Sequence, residues 1–417
     1  YKRQVLEIPE IHFNKVAPLF SNLPEAKQTV DIQPMEQFNQ GWGTILYRTT
    51  LPEATPAGTV LKITEVHDWA QIYADGKLLA RLDRRKGEFT TTLPALKKGT
   101  QLDILVEAMG RVNFDKSIHD RKGITEKVEL VSGNQAKELK NWTVYNFPVD
   151  YSFIKNKKYN DTKILPSMPA YYKSTFKLDK VGDTFWDMST WGKGMVWVNG
   201  HAMGRFWEIG PQQTLFMPGC WLKEGENEIL VLDLKGPAKA SIKGLKKPIL
   251  DVLREKAPET HRKDGEKLKL AGEKVIHEGA FTPGNGWQEV RFAAPVKGRY
   301  FCLEALSPQA NDNIAAVAEF DVLGADGKPV SREHWKIRYA DSEETRSGNR
   351  TADKIFDLQE STFWMTVDNV PYPHQLVIDL SKVETVTGFR YLPRAEKEYP
   401  GMIKEYRVYV KSADFNY

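Results

Sequence analysis

The chain has 417 residues, 41% of them hydrophobic, which is enough for roughly two to four domains with ordinary apolar cores. Its 59 basic and 55 acidic residues leave a formal net charge of +4, which is too even to indicate nucleic acid or a membrane surface as a partner. No apolar run approaches the ~18 residues that a membrane helix needs, and Cys220 and Cys302 form no disulfide framework. Because the chain starts at Tyr1 rather than methionine, we expect that a preceding segment was removed.

Residues 1–40 contain four prolines among polar residues, and we predict a lead-in there with one short strand. Alternating residues at 44–50 and 58–64 predict the first strands of a sandwich. Asp75-Gly76 predicts a hairpin turn, because both residue types tolerate a positive φ. The alternating segment at 102–106 predicts the strand that ends this first pattern.

The same pattern occurs a second time. Tyr47 lies 29 positions before Gly76, and Tyr172 lies 28 positions before Gly200 in a similar context of strand and turn. Asn199 precedes Gly200, so this copy also predicts a hairpin turn. Two copies of this length indicate two similar domains in tandem rather than a solenoid.

The last part of the chain is again rich in short alternating segments, and helix signals are weak throughout. Many short strands separated by Gly, Asn, Asp and Pro predict an all-β fold built from sandwiches. The predicted domains are a lead-in over 1–40, a first sandwich over 41–148, a second sandwich over 149–254, an exposed basic linker over 255–267 and a third β-module over 268–417.

Residues 107–114 form a loop that strand alternation does not explain. It brings the basic side chain of Arg111, the amide of Asn113 and the ring of Phe114 close together in sequence. One interpretation is a structural loop in which Arg111 donates to buried backbone carbonyls, which need polar partners. The other is a binding loop, since loops on a rigid scaffold often carry function. The residues alone leave both interpretations open.

Residues of about 30–250 resemble the tandem galactose-binding-like, jelly-roll β-sandwich domains that follow the catalytic barrel in glycoside hydrolase family 35 β-galactosidases. The resemblance implies that the lead-in comes from a barrel that this sequence does not contain. In that family the loop at 109–114 lies near the barrel mouth, so Arg111, Asn113 and Phe114 are expected to be adjacent to substrate. The matching segments are Tyr47-Arg48-Thr49, Met109-Gly110-Arg111-Val112-Asn113-Phe114, Lys122-Gly123-Ile124, Trp197-Val198-Asn199-Gly200, Gly204-Arg205-Phe206-Trp207 and Gly210-Pro211-Gln212-Gln213-Thr214-Leu215.

One position in the loop departs from the family. The family more often has Tyr-Gly where this chain has Phe114-Asp115. The change removes a phenol hydroxyl, so a direct hydrogen bond from this side chain to a sugar is not expected.

The third module resembles a discoidin, or coagulation factor 5/8 C-type, module of the kind found in carbohydrate-binding module family 32. The segment that normally comes last, Gly298-Arg299-Tyr300 with Glu319-Phe320, appears first here. We therefore interpret the region as one circularly permuted jelly-roll module, and two truncated copies are the alternative. The segments in the usual order are Phe356-Asp357, Ser361-Thr362, Trp364, Pro373-His374-Gln375-Leu376-Val377-Ile378-Asp379-Leu380, Gly388-Phe389-Arg390-Tyr391-Leu392-Pro393-Arg394 and Ile403-Lys404-Glu405-Tyr406-Arg407-Val408-Tyr409-Val410.

Many modules of this family hold a structural calcium ion, and the resemblance places its ligands at Glu319, Asp357 and Thr362. All three carry oxygen atoms, which a hard cation prefers. Leu358 and Gln359 stand where the family usually has Gly and Asp or Asn, which restricts the turn. The alternative is a loop held by hydrogen bonds without a metal. Apart from this possible calcium ion, we predict no cofactor.

Sugar binding by such a module uses an aromatic face against the pyranose ring, framed by charged or amide groups. Trp287, Tyr372, Arg394 and Tyr399 fall in predicted loops of the module and are the candidates for carbohydrate binding. Packing in the core is the alternative for each aromatic residue.

Hydrolysis of a glycoside with retention needs two carboxyl groups ~5–5.5 Å apart. In family 35 both are glutamates of an eight-stranded β/α barrel, and this sequence has neither the alternating βα pattern nor the barrel motifs. We therefore predict no catalytic residue in this chain and no hydrolysis by it alone. Acidic pairs such as Glu343-Glu344 are expected in solvent.

The resemblance implies that the complete protein is a β-galactosidase that releases terminal β-galactose. This chain would be its non-catalytic C-terminal portion, which supports the barrel and binds carbohydrate. The expected partners are β-galactosides and the barrel of the same protein, with no nucleic acid and no membrane insertion, in the periplasm or outside the cell. The alternative is a stand-alone carbohydrate-binding lectin or adhesin made of three β-modules.

Overall fold

The computed structural model describes residues 4–114, 118–133, 135–161, 168–395 and 401–417. The chain divides into two compact units, one formed by residues up to Lys27 with Tyr145–Lys256 and the other by Gln28–Val144 with Ala257–Tyr417. In the described ranges, β-strands dominate and the α-helical structure is a single turn, α1. No helix in these ranges has both the length and the apolar character needed to cross a membrane. The predicted all-β fold is confirmed.

The strands are numbered in chain order, and α1 is Tyr151–Ile154. Those up to residue 147 are β1 Ile8–His12, β2 Lys15–Pro18, β3 Ala26–Thr29, β4 Gly43–Thr50, β5 Val60–His67, β6 Trp69–Ala74, β7 Lys77–Asp83, β8 Thr90–Thr92, β9 Gln101–Ala108, β10 Gly123–Ser132, β11 Gln135–Glu138 and β12 Trp142–Phe147. Those of the middle part are β13 Asn160–Asp161, β14 Ala170–Leu178, β15 Thr184–Asp187, β16 Lys193–Val198, β17 His201–Trp207, β18 Thr214–Met217, β19 Gly225–Asp233 and β20 Ser241–Leu245. The remaining ones are β21 His277–Ala280, β22 Gln288–Ala305, β23 Ala316–Val317, β24 Glu319–Leu323, β25 Lys336–Ala340, β26 Trp364–Met365, β27 His374–Leu392 and β28 Glu405–Lys411.

The first sandwich has a four-stranded sheet in the order β11-β10-β5-β8 and a six-stranded sheet in the order β3-β12-β4-β9-β6-β7. Ile63 and Val128 of the four-stranded sheet share one buried apolar cluster with Tyr47 and Trp142 of the six-stranded sheet. Since side chains alternate across a strand, Glu129 faces away from this core. The four-stranded sheet therefore has an apolar inner face and a polar outer face.

The second sandwich draws strands from both parts of its unit. In β1 and β20, Ile11 lies opposite Ile242, and in β2 and β14, Val16 lies opposite Tyr172. All four side chains are buried in one apolar cluster. The stretch predicted as a lead-in over 1–40 thus contributes two strands to this sandwich. Its partners lie far along the chain, so local alternation gives little sign of the pairing.

The third module has a main sheet in the order β21-β28-β22-β27-β24, with β25 also paired to β27, and a small sheet of β23 and β26. Phe281 and Phe301 from its first half share one buried cluster with Phe389 and Tyr406 from its second half. The Phe281 and Tyr406 ring centroids are 4.1 Å apart. One core shared by both halves is what a single permuted module requires, whereas two truncated copies would need two cores.

Both predicted hairpin turns have the expected backbone. Asp75 and Gly76, between β6 and β7, have φ values of 46° and 76°. Asn199 and Gly200, between β16 and β17, have φ values of 48° and 85°. Positive φ at both central positions matches the right-handed twist of the strands that the turns join.

Candidate functional sites

The loop that follows β9 is held at its base by Arg111. Its Nη1 donates to the backbone oxygen of Asp120 at 2.7 Å, and its Nη2 donates to the backbone oxygen of Gly41 at 2.5 Å. The same Nη2 lies 2.7 Å from Oε1 of Glu36. Arg111 therefore makes the carbonyl contacts that the structural interpretation of this loop expects.

The tip of the same loop is open to solvent. Asn113 is exposed, and 79% of the Phe114 surface is accessible. Val112 beside it is also exposed, as is Ile118 after the gap in the described residues. The structure thus brings the predicted substrate-adjacent residues Arg111, Asn113 and Phe114 onto one loop, with the arginine at its base and the aromatic ring at its tip.

A buried ionic network lies beneath this loop. The ammonium of Lys122 is within 2.7 Å of Oδ2 of Asp68, 2.8 Å of Oδ2 of Asp120 and 2.9 Å of the backbone oxygen of Gly110. Arg84 completes the network, since its Nη1 donates to Oδ1 of both aspartates at 2.8 and 2.7 Å. The side chain of Lys122 has no accessible surface, so the two carboxylates compensate a fully desolvated charge.

The network also fixes the backbone of the loop. The N–H of Met109 donates to Asp68 at 2.6 Å, and the N–H of Val112 donates to Asp120 at 3.1 Å. Although burial opposes ionisation, the hydrogen bonds from Lys122 and Arg84 lower the pKa of Asp120 to about 2. Both loop contacts therefore involve carboxylates held in place by the buried Lys122 and the partly exposed Arg84.

Sequence reasoning did not identify this network. In the sequence, Lys122 belongs to the matching segment Lys122-Gly123-Ile124, and a lysine is usually exposed. Its partner Asp68 lies 54 positions earlier in the chain. The position of Lys122 before Gly123-Ile124, at the start of a strand, is visible in the sequence. It does not indicate that Asp68 and Asp120 are the residues that the lysine contacts.

The three predicted calcium ligands do lie close together. The backbone N–H of Gln359 donates to Oε1 of Glu319 at 2.7 Å and to Oδ1 of Asp357 at 3.0 Å. The hydroxyl of Thr362 is 2.9 and 2.8 Å from the two carboxylate oxygens of Asp357. The other oxygen of Glu319 accepts a hydrogen bond from Arg332. All four carboxylate oxygens therefore already have protein donors.

Positive side chains supply charge around the two carboxyl groups. The buried guanidinium of Arg332 bridges Glu319 to Asp321, and the ammonium of Lys354 lies 3.8 Å from Asp357. Burial raises the pKa of Asp357 to about 6, and burial also raises the pKa of Glu319 against the field of Arg332. As arranged here, this donor set does not fit a calcium ion, which takes about six to eight oxygen ligands.

The described ranges contain no group of three or more His, Cys, Asp or Glu side chains that could hold a metal ion.

The predicted sugar-binding residues that the structure describes, Trp287, Tyr372 and Arg394, each contact a different partner. Trp287 stacks on Arg390, whose guanidinium carbon is 4.6 Å from the ring centroid. The hydroxyl of Tyr372 donates to the backbone oxygen of Ile314 at 2.6 Å. Arg394 lies over the ring of Phe363 at 4.4 Å. Tyr399 falls outside the described residues.

One acidic residue departs from its predicted environment. Glu343 is only 5% exposed, and it accepts hydrogen bonds from the backbone N–H groups of His261 at 2.5 Å and Ala352 at 2.7 Å. The expectation that it lies in solvent is therefore wrong. Its carboxylate satisfies backbone donors of two segments that converge in the third module.

Comparisons with known proteins match three parts of the chain. Residues 33–148 match the first all-beta domain of beta-galactosidase, and residues 169–227 match the galactose-binding domain of beta-galactosidase. Residues 339–417 match the F5/8 type C domain. The chain carries all-β and galactose-binding domains of β-galactosidases and an F5/8 type C domain. Such domains are typical of the non-catalytic C-terminal part of β-galactosidases.

Similar curated proteins share part of their length with this chain. Human beta-galactosidase-1-like protein 2 is 34% identical over 206 residues, which are 48% of this chain and 31% of that protein. Beta-galactosidase 1 of Dictyostelium discoideum is 33% identical over 240 residues, which are 53% and 35% of the two chains. The beta-galactosidase of Xanthomonas manihotis is 32% identical over 211 residues, which are 50% and 34%. The chain thus spans about a third of the length of these relatives.

Solved structures align only weakly with this chain. The apo form of Pleurotus ostreatus lectin aligns with a TM-score of 0.20 at 10% identity, covering 58% of this chain and 82% of the lectin. A score at this level carries no argument about fold or function.

Proposed function

We propose that this chain is the non-catalytic C-terminal part of a retaining β-galactosidase whose catalytic barrel lies in another part of the parent protein. The supporting observation is the consecutive match of residues 33–148 and 169–227 to two β-galactosidase domains. The relatives named β-galactosidase extend well beyond the matched region. In the complete protein, the barrel would supply the two carboxyl groups that cleave the glycosidic bond.

The loop at 109–114 is the proposed contact with that barrel. Its backbone is anchored by buried carboxylates, whereas its tip exposes Val112 and Phe114. An exposed phenylalanine on a fixed loop is suited to cover apolar surface on a neighbouring domain. Arg111, Asn113 and Phe114 would then form part of the rim of the substrate pocket, and Phe114 would shape this rim by contact rather than by hydrogen bonding.

For the F5/8 type C module we propose that Arg332 and Lys354, in place of a calcium ion, neutralise Glu319 and Asp357. The support is that every carboxylate oxygen of the pair accepts a hydrogen bond from the protein. Carbohydrate binding by Trp287, Tyr372, Arg394 and Tyr399 stays a proposal, as does a periplasmic or extracellular location of the parent protein.

The decisive experiment compares this chain with the complete protein on a chromogenic β-galactoside. We expect turnover by the complete protein and none by the chain alone. Addition of the separately produced barrel to the chain is expected to restore part of the activity, because the loop and the barrel complement each other. Hydrolysis by the chain at the rate of the complete protein would contradict the proposal.

The second candidate is a stand-alone lectin or adhesin. It is favoured by one observation, which is that galactose-binding and F5/8 type C domains both occur in the chain. Calorimetric titration of the chain with galactose and methyl β-galactoside separates the two proposals. Binding of millimolar strength or tighter, together with a parent protein that lacks β-galactosidase activity, would favour the lectin.

A further inference from the structure

A cavity of about 770 Å³ lies between the first sandwich and the third module, which belong to the same compact unit. One wall is the outer face of the sheet β11-β10-β5-β8, where Lys62 and Lys127 line the space. The opposite wall belongs to the third module and is formed by residues 328–333, 335, 353 and 356–358, with Asp321 and Arg390 beside them. The predicted domains did not suggest this cavity, because its walls are more than a hundred positions apart in sequence.

Direct contacts between the two walls set the width of the cavity. Glu333 lies so close to Gly58 that a Cβ placed on the glycine would be 1.9 Å from its carboxylate oxygen. Ser361 donates a side-chain hydrogen bond to Glu65. The cavity is therefore bounded by touching elements of both domains, and its shape is largely formed before any ligand enters.

The charges that line the cavity are largely paired with one another. Lys127 lies 3.0 Å from Glu129 on the same strand. Asp321 accepts hydrogen bonds from Arg332 at 2.8 Å and from Arg390 at 2.9 Å. Because these lining charges compensate one another, the cavity has little net electrostatic field that would attract an anion or a cation. The cavity therefore favours a polar ligand without net charge.

Uncharged polar side chains of the edge strand β8 also line the space. Thr90 lies opposite Lys62 and Thr92 lies opposite Val60, so both side chains project from the outer face of the sheet, whereas Thr91 lies opposite the buried Leu61. Trp335 belongs to the same wall, but it is only 6% exposed and its indole N–H is buried. The hydroxyl groups of Thr90 and Thr92 are therefore uncharged partners that a ligand can reach.

We propose that this cavity binds a neutral oligosaccharide. Saccharides combine many uncharged hydroxyl groups with apolar ring faces, which suits a wall that offers threonine hydroxyls, charged groups already paired and the apolar side chains of Val60 and Val330. A volume of about 770 Å³ falls in the range of small-molecule sites and admits several pyranose rings. The site goes beyond the proposed function, because it requires neither the barrel nor the loop at 109–114.

The test is calorimetric titration of the whole chain with neutral β-1,4-linked tetrasaccharides of galactose, glucose, mannose and xylose, with tetragalacturonic acid as the charged comparator. We expect at least one neutral tetrasaccharide to bind with a Kd below about 1 mM and the acid to bind at least about tenfold more weakly. In Thr90→Val the side-chain shape is kept and the hydroxyl is lost, so affinity should fall about tenfold. Trp42→Phe alters an exposed tryptophan away from the cavity and should leave the affinity unchanged.

A second variant keeps the test decisive if Thr90→Val perturbs folding. Thr92→Trp adds bulk at an exposed position opposite Val60, on the face of the sheet that lines the cavity, and should abolish binding while the far-ultraviolet circular dichroism stays that of the parent chain. Two results would overturn the proposal. One is the absence of heat from every neutral tetrasaccharide up to about 10 mM. The other is binding that neither variant weakens, which would place the sugar elsewhere on the chain.

Discussion

The ammonium of Lys122 lies 2.7 Å from Oδ2 of Asp68, and the two side chains are 0% and 3% exposed. The contact joins the start of β10 to the end of β5, so it connects strands at the base of the loop at 109–114. Because the ion pair is fully desolvated, each partner depends on the other for charge compensation. The position of the loop at 109–114 therefore depends on an ion pair that solvent does not reach.

Replacing Lys122 by methionine should destabilise the chain strongly. The substitution keeps much of the side-chain volume but removes the ammonium that lies between Asp68 and Asp120, and Arg84 remains as their shared cationic partner. Removing one partner of a buried ion pair costs about 3–5 kcal/mol in free energy of unfolding. Urea unfolding followed by tryptophan fluorescence measures the change.

Lys137→Met is the matched control for that prediction. Lys137 pairs with Glu53 at 2.6 Å, but both side chains are more than half exposed. An exposed pair contributes about 0–1 kcal/mol, so the control should change the unfolding free energy little. Equal losses in both variants would show that the buried network has no special role.

Acid should weaken the same network in a defined window. The folded-state pKa of Asp120 is about 2, below its ordinary value of 3.8. A lowered pKa means that the ionised carboxylate contributes stability at neutral pH and that this contribution is lost as the pH falls from about 4 towards 2. The free energy of unfolding measured across that interval should fall more steeply in the parent chain than in Asp120→Asn. Parallel curves for the two proteins would contradict the assignment.

The third module should be insensitive to calcium. Neither calcium chloride nor a chelator should shift its melting temperature, because Arg332 and Lys354 already face the two carboxyl groups. Arg332→Ala removes the guanidinium that bridges Glu319 and Asp321, and a loss of about 3–5 kcal/mol in unfolding free energy is expected. Calorimetric scans with and without calcium provide both measurements. A calcium-dependent rise of the melting temperature in the parent chain would show that the ion binds after all.

Much of the architecture could be predicted from local sequence. The turns Asp75-Gly76 and Asn199-Gly200 were identified because few residue types adopt positive φ at both positions, and the strands around them follow from alternation. The pairing of β1 with β20 could not be predicted in this way. Ile11 and Ile242 come together only in the folded chain, and an isolated five-residue strand does not specify its partner.

The candidate sites likewise contain residues that the sequence indicates and residues that it does not. Glu319, Asp357 and Thr362 are far apart in sequence or separated by a turn, yet they lie in one hydrogen-bonded group, and only the resemblance pointed to them together. Arg332 could not be identified in this way, since it lies 13 and 11 positions after Glu319 and Asp321 and meets them only in the folded chain. Burial decides the chemistry of such groups, and burial of a charged residue is the property that sequence indicates least well.

Phe114 should matter for activity and not for the stability of this chain. With 79% of its surface exposed, its replacement by serine should change the unfolding free energy by less than about 0.5 kcal/mol. In the complete protein, the same substitution removes apolar contact with the barrel and should lower kcat/KM on a chromogenic β-galactoside by about tenfold, equivalent to about 1.4 kcal/mol. Phe216→Ser is the matched control, because Phe216 is also exposed but lies on the second sandwich. Unchanged kcat/KM in Phe114→Ser, or an equal loss in both variants, would remove the loop at 109–114 from the rim of the substrate pocket.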